Sequence, residues 1–179
     1  AGLVTELLAK KYTGADFFGF DLAAGAKTFW PRRDAKNLKF KQQSLGEQDT
    51  VFDLVICLDV FEHIEDFYGF LRVLKKSGRK FIFNIPLDMS VMKLVTNGIK
   101  YVREDVGHIH YFSEYTALEA LRDCGYKIDD SFLSVAFLLV PPRNSRQLAV
   151  LPFRLATLLL GKSIAARLFG GMSLVVLAE

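Results

Sequence analysis

Little in this sequence supports a covalent or metal framework. Its 179 residues include only two cysteines, Cys57 and Cys124, too few for a disulfide scaffold or a cysteine metal cluster. Cys57 sits inside an apolar run, where a small core residue belongs. Both thiols are expected to stay reduced, which fits a cytosolic compartment. No apolar stretch reaches the roughly 20 residues a membrane span needs. No signal peptide opens the chain, which begins directly in an amphipathic pattern. From these absences we expect a cytoplasmic protein. Internal repeats and low-complexity tracts are lacking as well. So is any strong excess of one charge: the net charge is +3, and its cations fall in separate pairs at Lys10 and Lys11, Arg32 and Arg33, Lys75 and Lys76. Such pairs are expected to be solvated helix ends, not a nucleic-acid surface. The first residue is Ala1, not Met, so the natural start is expected to lie upstream.

What is present is a core. Apolar residues make up 51% and charged residues 24%, enough for one globular domain over residues 1–179. Residues 3–11 place Leu3, Val4, Leu7 and Leu8 at helical spacing. Residues 15–21 form a short apolar run ending in Asp21, read as a strand, and a polar stretch around Pro31 suits a short helix and loop. Residues 38–43 alternate like a strand. Residues 51–58 are nearly all apolar, as a strand buried on both faces would be. Residues 66–76 return to helical spacing and stop at Ser77 and Gly78. Residues 79–85 read as a second buried strand ending at Pro86. Residues 89–102 suit a helix or lid, and residues 113–123 a helix capped by Ser113 and stopped by Gly125. Strand patterns follow over 126–140 and 172–178. Strands alternating with helices predict an α/β fold with a mostly parallel sheet, helices on both faces and an antiparallel pair of late strands at one edge.

In such sheets ligands sit beyond the carboxyl ends of the strands. Asp21 ends the first strand, and its two acceptor oxygens suit the hydroxyls of a ribose or the cap of a following helix. Gly2 stands just before the first helix, where a missing side chain lets a ligand approach the backbone. Ser44 and Leu45 follow the second strand. The run Leu58-Asp59-Val60-Phe61-Glu62-His63-Ile64 sets three polar side chains against a very apolar strand, and such groups need partners or a ligand. Asp59 and Glu62 can also cap the next helix. Glu62-His63 is half of a zinc motif, but no second histidine follows four residues later, so no metal is expected. His63 suits a general base, because imidazole titrates near neutrality. Asn84 ends the next strand. His108 and His110 alternate within Gly107-His108-Ile109-His110-Tyr111-Phe112-Ser113 and face opposite ways if extended. That loop holds two of the three histidines and is expected on the substrate side.

Gly19-Phe20-Asp21, the block from Val51 through Ile64, Phe81-Ile82-Phe83-Asn84-Ile85-Pro86 and the histidine loop, taken in that order, resemble class I S-adenosylmethionine-dependent methyltransferases. The resemblance is closest to the group of ubiquinone- and menaquinone-biosynthesis methyltransferases and related small-molecule enzymes, and it covers residues 1 to about 140 plus the last strand. It implies S-adenosylmethionine as cofactor, with Gly2 as the last glycine of its loop. Asp21, with Leu22 beside it, would lie on the ribose, Ser44 and Leu45 at the adenine, and Leu58 and Asp59 at the methionine end. It implies His63 near the substrate entrance and His108 and His110 at the acceptor pocket. Ser44 departs from the Asp many relatives carry. Relatives also have a strand and a Gly-rich loop before the position of Ala1, so the chain reads as lacking its first strand.

The expected reaction is methyl transfer to an O, N or C nucleophile of a small acceptor, with a hydrophobic or glycan- or lipid-linked acceptor suggested by the apolar segments 86–107 and 141–170. Two other readings share the pattern: a nucleotide-dependent oxidoreductase, which would need a G-x-G-x-x-G, and a degenerate, non-catalytic methyltransferase fold that binds a partner. The segment 144–169 aligns Leu148, Leu151, Leu155, Leu158 and Leu159 on one helical face beside Arg146, Arg154, Lys162 and Arg167. It is expected to form a helical hairpin packed on its own domain or a second subunit, or a basic amphipathic surface for a peripheral membrane contact.

Overall fold

A computed structural model describes residues 2–179 except 48, 136, 137 and 139–144. The chain forms two compact units, residues 1–50 and 51–179.

In the first unit, helix α1 (Leu3–Lys11) leads to strand β1 (Phe17–Phe20), which pairs in parallel with β2 (Leu38–Lys41). Two short 3-10 turns, Ala24–Thr28 and Trp30–Arg32, connect the strands. Polar side chains do much of the tying. Buried Glu6 accepts from Lys10 Nζ at 2.7 Å, Arg33 Nη1 at 3.2 Å and the Asp34 N–H at 3.2 Å. Asn37 Nδ2 donates to the carbonyls of Ala9, Tyr12 and Ala15 at 3.2, 3.2 and 2.6 Å, which occupies the C-terminal end of α1. Phe40 lies against two glycines and stacks on Trp30, with ring centroids 5.3 Å apart. A Cβ on Gly19 would stand 2.4 Å from that ring, and one on Gly2 2.6 Å.

The second unit holds a four-stranded sheet in the order β3-β4-β6-β5, here β3 (Phe52–Leu58), β4 (Gly78–Pro86), β5 (Ile128–Ser134) and β6 (Ser173–Ala178). β3 and β4 are parallel and joined through α2 (Phe67–Lys75), whereas β6 runs antiparallel between β4 and β5. The core gathers Phe61, Phe81, Phe83, Ile85, Leu71, Leu121, Leu174 and Val176. Tyr126 packs edge-on against Phe81 and Phe83 at 4.9 and 5.1 Å, and its hydroxyl donates to the Leu71 carbonyl at 2.8 Å. Helix α5 (Glu114–Asp123) starts at Ser113 in a reciprocal cap with Thr116, as its sequence predicts.

Several expectations are adjusted. β3 was expected to be buried on both faces; Val55 and Cys57 are buried, but Leu54 and Ile56 are 45% and 38% exposed, so only one face is covered. The helix-or-lid segment is broken into α3 (Val91–Val95), α4 (Gly98–Tyr101) and a π-turn (Val102–Val106), because Asn97 adopts a positive φ of 54° between them. The late strand ends at Ser134, and much of the remainder of 126–140 lies outside the described residues. The segment 144–169 is a helical hairpin, α6 (Ser145–Leu158) and α7 (Lys162–Phe169). Of this hairpin α7 buries Ala165 and Ala166, whereas Leu148, Phe153, Leu155, Leu159 and Leu160 remain exposed. The packing expected for the hairpin on its own domain is therefore partial.

Candidate functional site

In the first unit the chain after β1 turns at once. Asp21 accepts the Ala23 N–H on Oδ1 at 2.9 Å, an Asx turn into the following 3-10 segment. Oδ2 has no partner among the described residues and keeps acceptor capacity. Leu22 is 69% exposed. Gly2 is the N-terminal boundary of α1 and takes φ +80°, a conformation that favours glycine. Ser44 lies between β2 and a 3-10 turn that begins at Leu45.

In the second unit polar groups converge beyond the carboxyl ends of β3 and β4. Leu58 is the last residue of β3 and pairs with Asn84. Asp59 follows with φ +52°; its N–H donates to the Asn84 carbonyl at 3.0 Å, and Asn84 Nδ2 donates to Asp59 Oδ1 at 2.7 Å. The two strand ends are thereby clamped, and the backbone is held in a left-handed conformation that costs strain outside glycine. Asp59 and Glu62 do not cap the next helix. Asp66 does, accepting the Gly69 N–H at 2.8 Å, because it stands directly before α2.

A 3-10 turn, Phe61–His63, packs against the loop 107–110. The Glu62 carbonyl accepts the N–H groups of both Ile109 and His110, at 2.9 and 3.1 Å. Phe61 anchors the turn from below, fully buried and edge-on to Phe83 and Phe112. Gly107, at φ +85°, lets the loop double back so that its carbonyl accepts from His63 Nδ1 at 3.0 Å. His63 is exposed and its ring stands edge-on to that of His108, 4.7 Å away.

His108 is buried and engages Asp88 Oδ2 through Nδ1 at 2.5 Å, while the other oxygen of Asp88 is ion-paired with Lys93. The Nε2 of His108 lies 4.0 Å from Glu62 Oε1. Glu62 is 0% exposed, and neither of its oxygens has a hydrogen-bond partner among the described residues. Burial pushes its carboxyl up to about 7, and the nearby charges of Asp59 and Asp88 push the same way. Its own N–H pulls in the other direction, more than either of those charges pushes but less than burial does, at a geometry short of a hydrogen bond. Burial likewise pushes the Cys57 thiol up to about 12, so Cys57 is an inert core residue and not a nucleophile. His110 points away from this cluster. Its Nε2 reaches the carbonyls of Ile64 and Glu65 at 2.9 and 3.1 Å, and its ring packs on Phe67.

The fold therefore brings together Leu58, Asp59, Glu62, His63 and His108 within one unit, with Asn84, and leaves His110 as a brace for the turn. Sequence reasoning missed Asp88 and Lys93. The available signal was a charged residue just past a strand stop at Pro86, ahead of the helix cap Ser90.

Parallel strands linked by helices, an antiparallel last strand set between its neighbours, and polar groups at the carboxyl ends of the parallel pair together define the class I methyltransferase arrangement. The chain belongs to the methyltransferase domain family, whose model matches residues 1–131. Among solved structures it is similar to magnesium protoporphyrin IX methyltransferase from Synechocystis PCC 6803 with bound SAH. The identity is 18%, with 99% of this chain and 68% of that one covered and a TM-score of 0.59. It is also similar to coclaurine N-methyltransferase bound to N-methylheliamine and SAH, at 14% identity, 98% and 64% coverage and a TM-score of 0.62. A third likeness is to the [4+2]-cyclase SpnF, at 12% identity, 92% and 65% coverage and a TM-score of 0.58. At these identities the likeness speaks to fold alone, and a cyclase among the neighbours illustrates that fold does not fix chemistry. Comparison with curated proteins finds no match. Among the described residues no helix is long and apolar enough to cross a membrane.

Proposed function

We propose that this chain binds S-adenosylmethionine and directs its methyl group to a nucleophile on a small, apolar acceptor. The observation that carries the reading is the clustering of Asp59, Asn84, Glu62, His63 and His108 beyond the carboxyl ends of β3 and β4 in a chain of the methyltransferase family. Each unit, taken by itself, carries residues suited to the cofactor. Asp21 keeps one carboxylate oxygen free for ribose hydroxyls, and α1 starts at Gly2, a helix N-terminus that suits a carboxylate or phosphate. Leu58 and Asp59 take the methionine end, and Ser44 and Leu45 the adenine.

When bound, S-adenosylmethionine supplies an electrophilic methyl on a sulfonium. The protein's share is chiefly positioning. His63 is the exposed imidazole of the cluster and meets the acceptor; with Nδ1 donating to Gly107, its Nε2 lone pair can take a proton where the nucleophile must lose one. His108, held by Asp88, sets the position of the His63 ring. His110 is assigned no chemical step, since its ring nitrogen is spent on backbone carbonyls.

The apolar acceptor is supported by the hairpin α6–α7, whose tip exposes Leu159 by 89% and Leu160 by 65%. Between Asp130 and Glu179 the chain has no acidic residue and five cations: Arg143, Arg146, Arg154, Lys162 and Arg167. Exposed leucines on a wholly basic segment suit an acceptor presented at an anionic lipid surface. Calorimetric binding of S-adenosylmethionine, weakened at least tenfold by Asp21→Ala, is the expected result. No binding by the intact protein would leave a partner-binding module in its place. For the acceptor, replacing Leu159 and Leu160 by Ser is expected to lower turnover on apolar acceptors and spare polar ones. Equal turnover on both would remove the lipid reading.

A further inference from the structure

We infer that Glu62, His63 and His108 form a binding site for a divalent transition-metal ion, of which Zn²⁺ is the best match. One ligand atom from each of the three lies within 4.8 Å of the other two. Two imidazoles and a carboxylate are the donor set that Zn²⁺ accepts in sites with an open fourth position. Tetrahedral ligand atoms around such an ion stand roughly 3.4 Å apart, so the cluster needs to contract by up to about 1.4 Å on binding.

Two further observations point to a ligand here. Glu62 is fully buried with both carboxylate oxygens unpartnered, which is costly unless something of opposite charge sits against it. Both histidines also have the outer partners that metal-bound imidazoles have. His108 gives Nδ1 to a carboxylate, Asp88, which Lys93 fixes in turn, and His63 gives Nδ1 to the Gly107 carbonyl. Each ring keeps Nε2 free of a protein hydrogen bond among the described residues. Such outer partners set the tautomer and aim of metal-bound imidazoles.

The sequence pattern hid this site because the second histidine is supplied 45 residues after His63, by the loop pinned to the Glu62 carbonyl. On the reading of this end of the sheet as the acceptor side, the ion would hold an acceptor oxygen and stabilise it as an anion after its proton leaves to solvent. The lone pair of His63 then serves the ion instead of taking that proton.

The test is titration of the tag-free, chelator-treated protein with Zn²⁺ by calorimetry, and with Co²⁺ by visible absorption, without S-adenosylmethionine. We expect one Zn²⁺ per chain, Co²⁺ bands of a four- or five-coordinate nitrogen–oxygen site, and much weaker binding of Mg²⁺. His63→Ala, at an exposed position, and Glu62→Gln should each weaken Zn²⁺ at least tenfold with unchanged circular dichroism. Asp88→Asn should weaken it about 10- to 100-fold through His108. Absent stoichiometric binding, or binding of equal strength in His63→Ala, would overturn the site. Because no cofactor is present, either outcome stands apart from whether the chain binds S-adenosylmethionine.

Discussion

Two residues in the first unit show how small changes should read out. Gly19 faces the Phe40 ring so closely that a methyl group would sit 2.4 Å from it. Gly19→Ala must therefore push Phe40 off Trp30, and overpacking of this kind costs about 1–3 kcal/mol. A fall in the urea midpoint of that order is expected; an unchanged midpoint would mean the ring has room to move. Glu6 makes a pH prediction. Its carboxyl is held below the ordinary value of 4.5 chiefly by Lys10, then by the Asp34 N–H and Arg33. A lowered folded pKa gives stability that is present above the unfolded value and is lost as pH falls through the folded one. Stability measured from pH 6 down to 3 should drop more steeply in the natural protein than in Glu6→Gln.

At the scale of elements, helix α5 rests on a local signal. Ser113 Oγ accepts the Thr116 N–H at 3.2 Å, and Thr116 Oγ1 accepts the Ser113 N–H at 2.9 Å. Ser113→Ala should cost about 0.5–2 kcal/mol in chemical denaturation. That helix was legible because its cap, apolar face and Gly125 stop lie within a dozen residues. The four strands predicted up to residue 86 were legible locally too, three as short apolar runs and 38–43 by its alternation. α3 and α4 were not, because one residue at positive φ, Asn97, splits a pattern too short to show a period. In the candidate site, Glu62 and His63 stood out as polar residues behind an apolar strand. His108 stood out as well, but its meeting with Glu62 did not, and Asp88 was missed, since both approach only once β4 and the loop 107–110 are in place. The alternative role of Asp59 and Glu62 as helix caps failed at the same point: Asp66, nearer α2, satisfies the helix N–H and leaves Glu62 to the interior.

For the whole molecule, burial is uneven. Among the described residues of 1–50 the buried apolar side chains are Ala9 and Ala26, whereas residues 51–179 bury a set of phenylalanines, leucines and valines. Local stability follows buried apolar area. Hydrogen exchange should accordingly find the amides of β1 and β2 less protected than those of β4 and β6, by about 2 kcal/mol or more in opening free energy. Equal protection would show that the two units open together. The sole tryptophan, Trp30, belongs to the first unit. Intrinsic indole emission consequently originates in residues 1–50, while far-ultraviolet dichroism is weighted toward the strands and helices of 51–179. An ordinary melt followed by both signals becomes a test of cooperativity: superimposable curves mean one transition, and a fluorescence curve that leads means two.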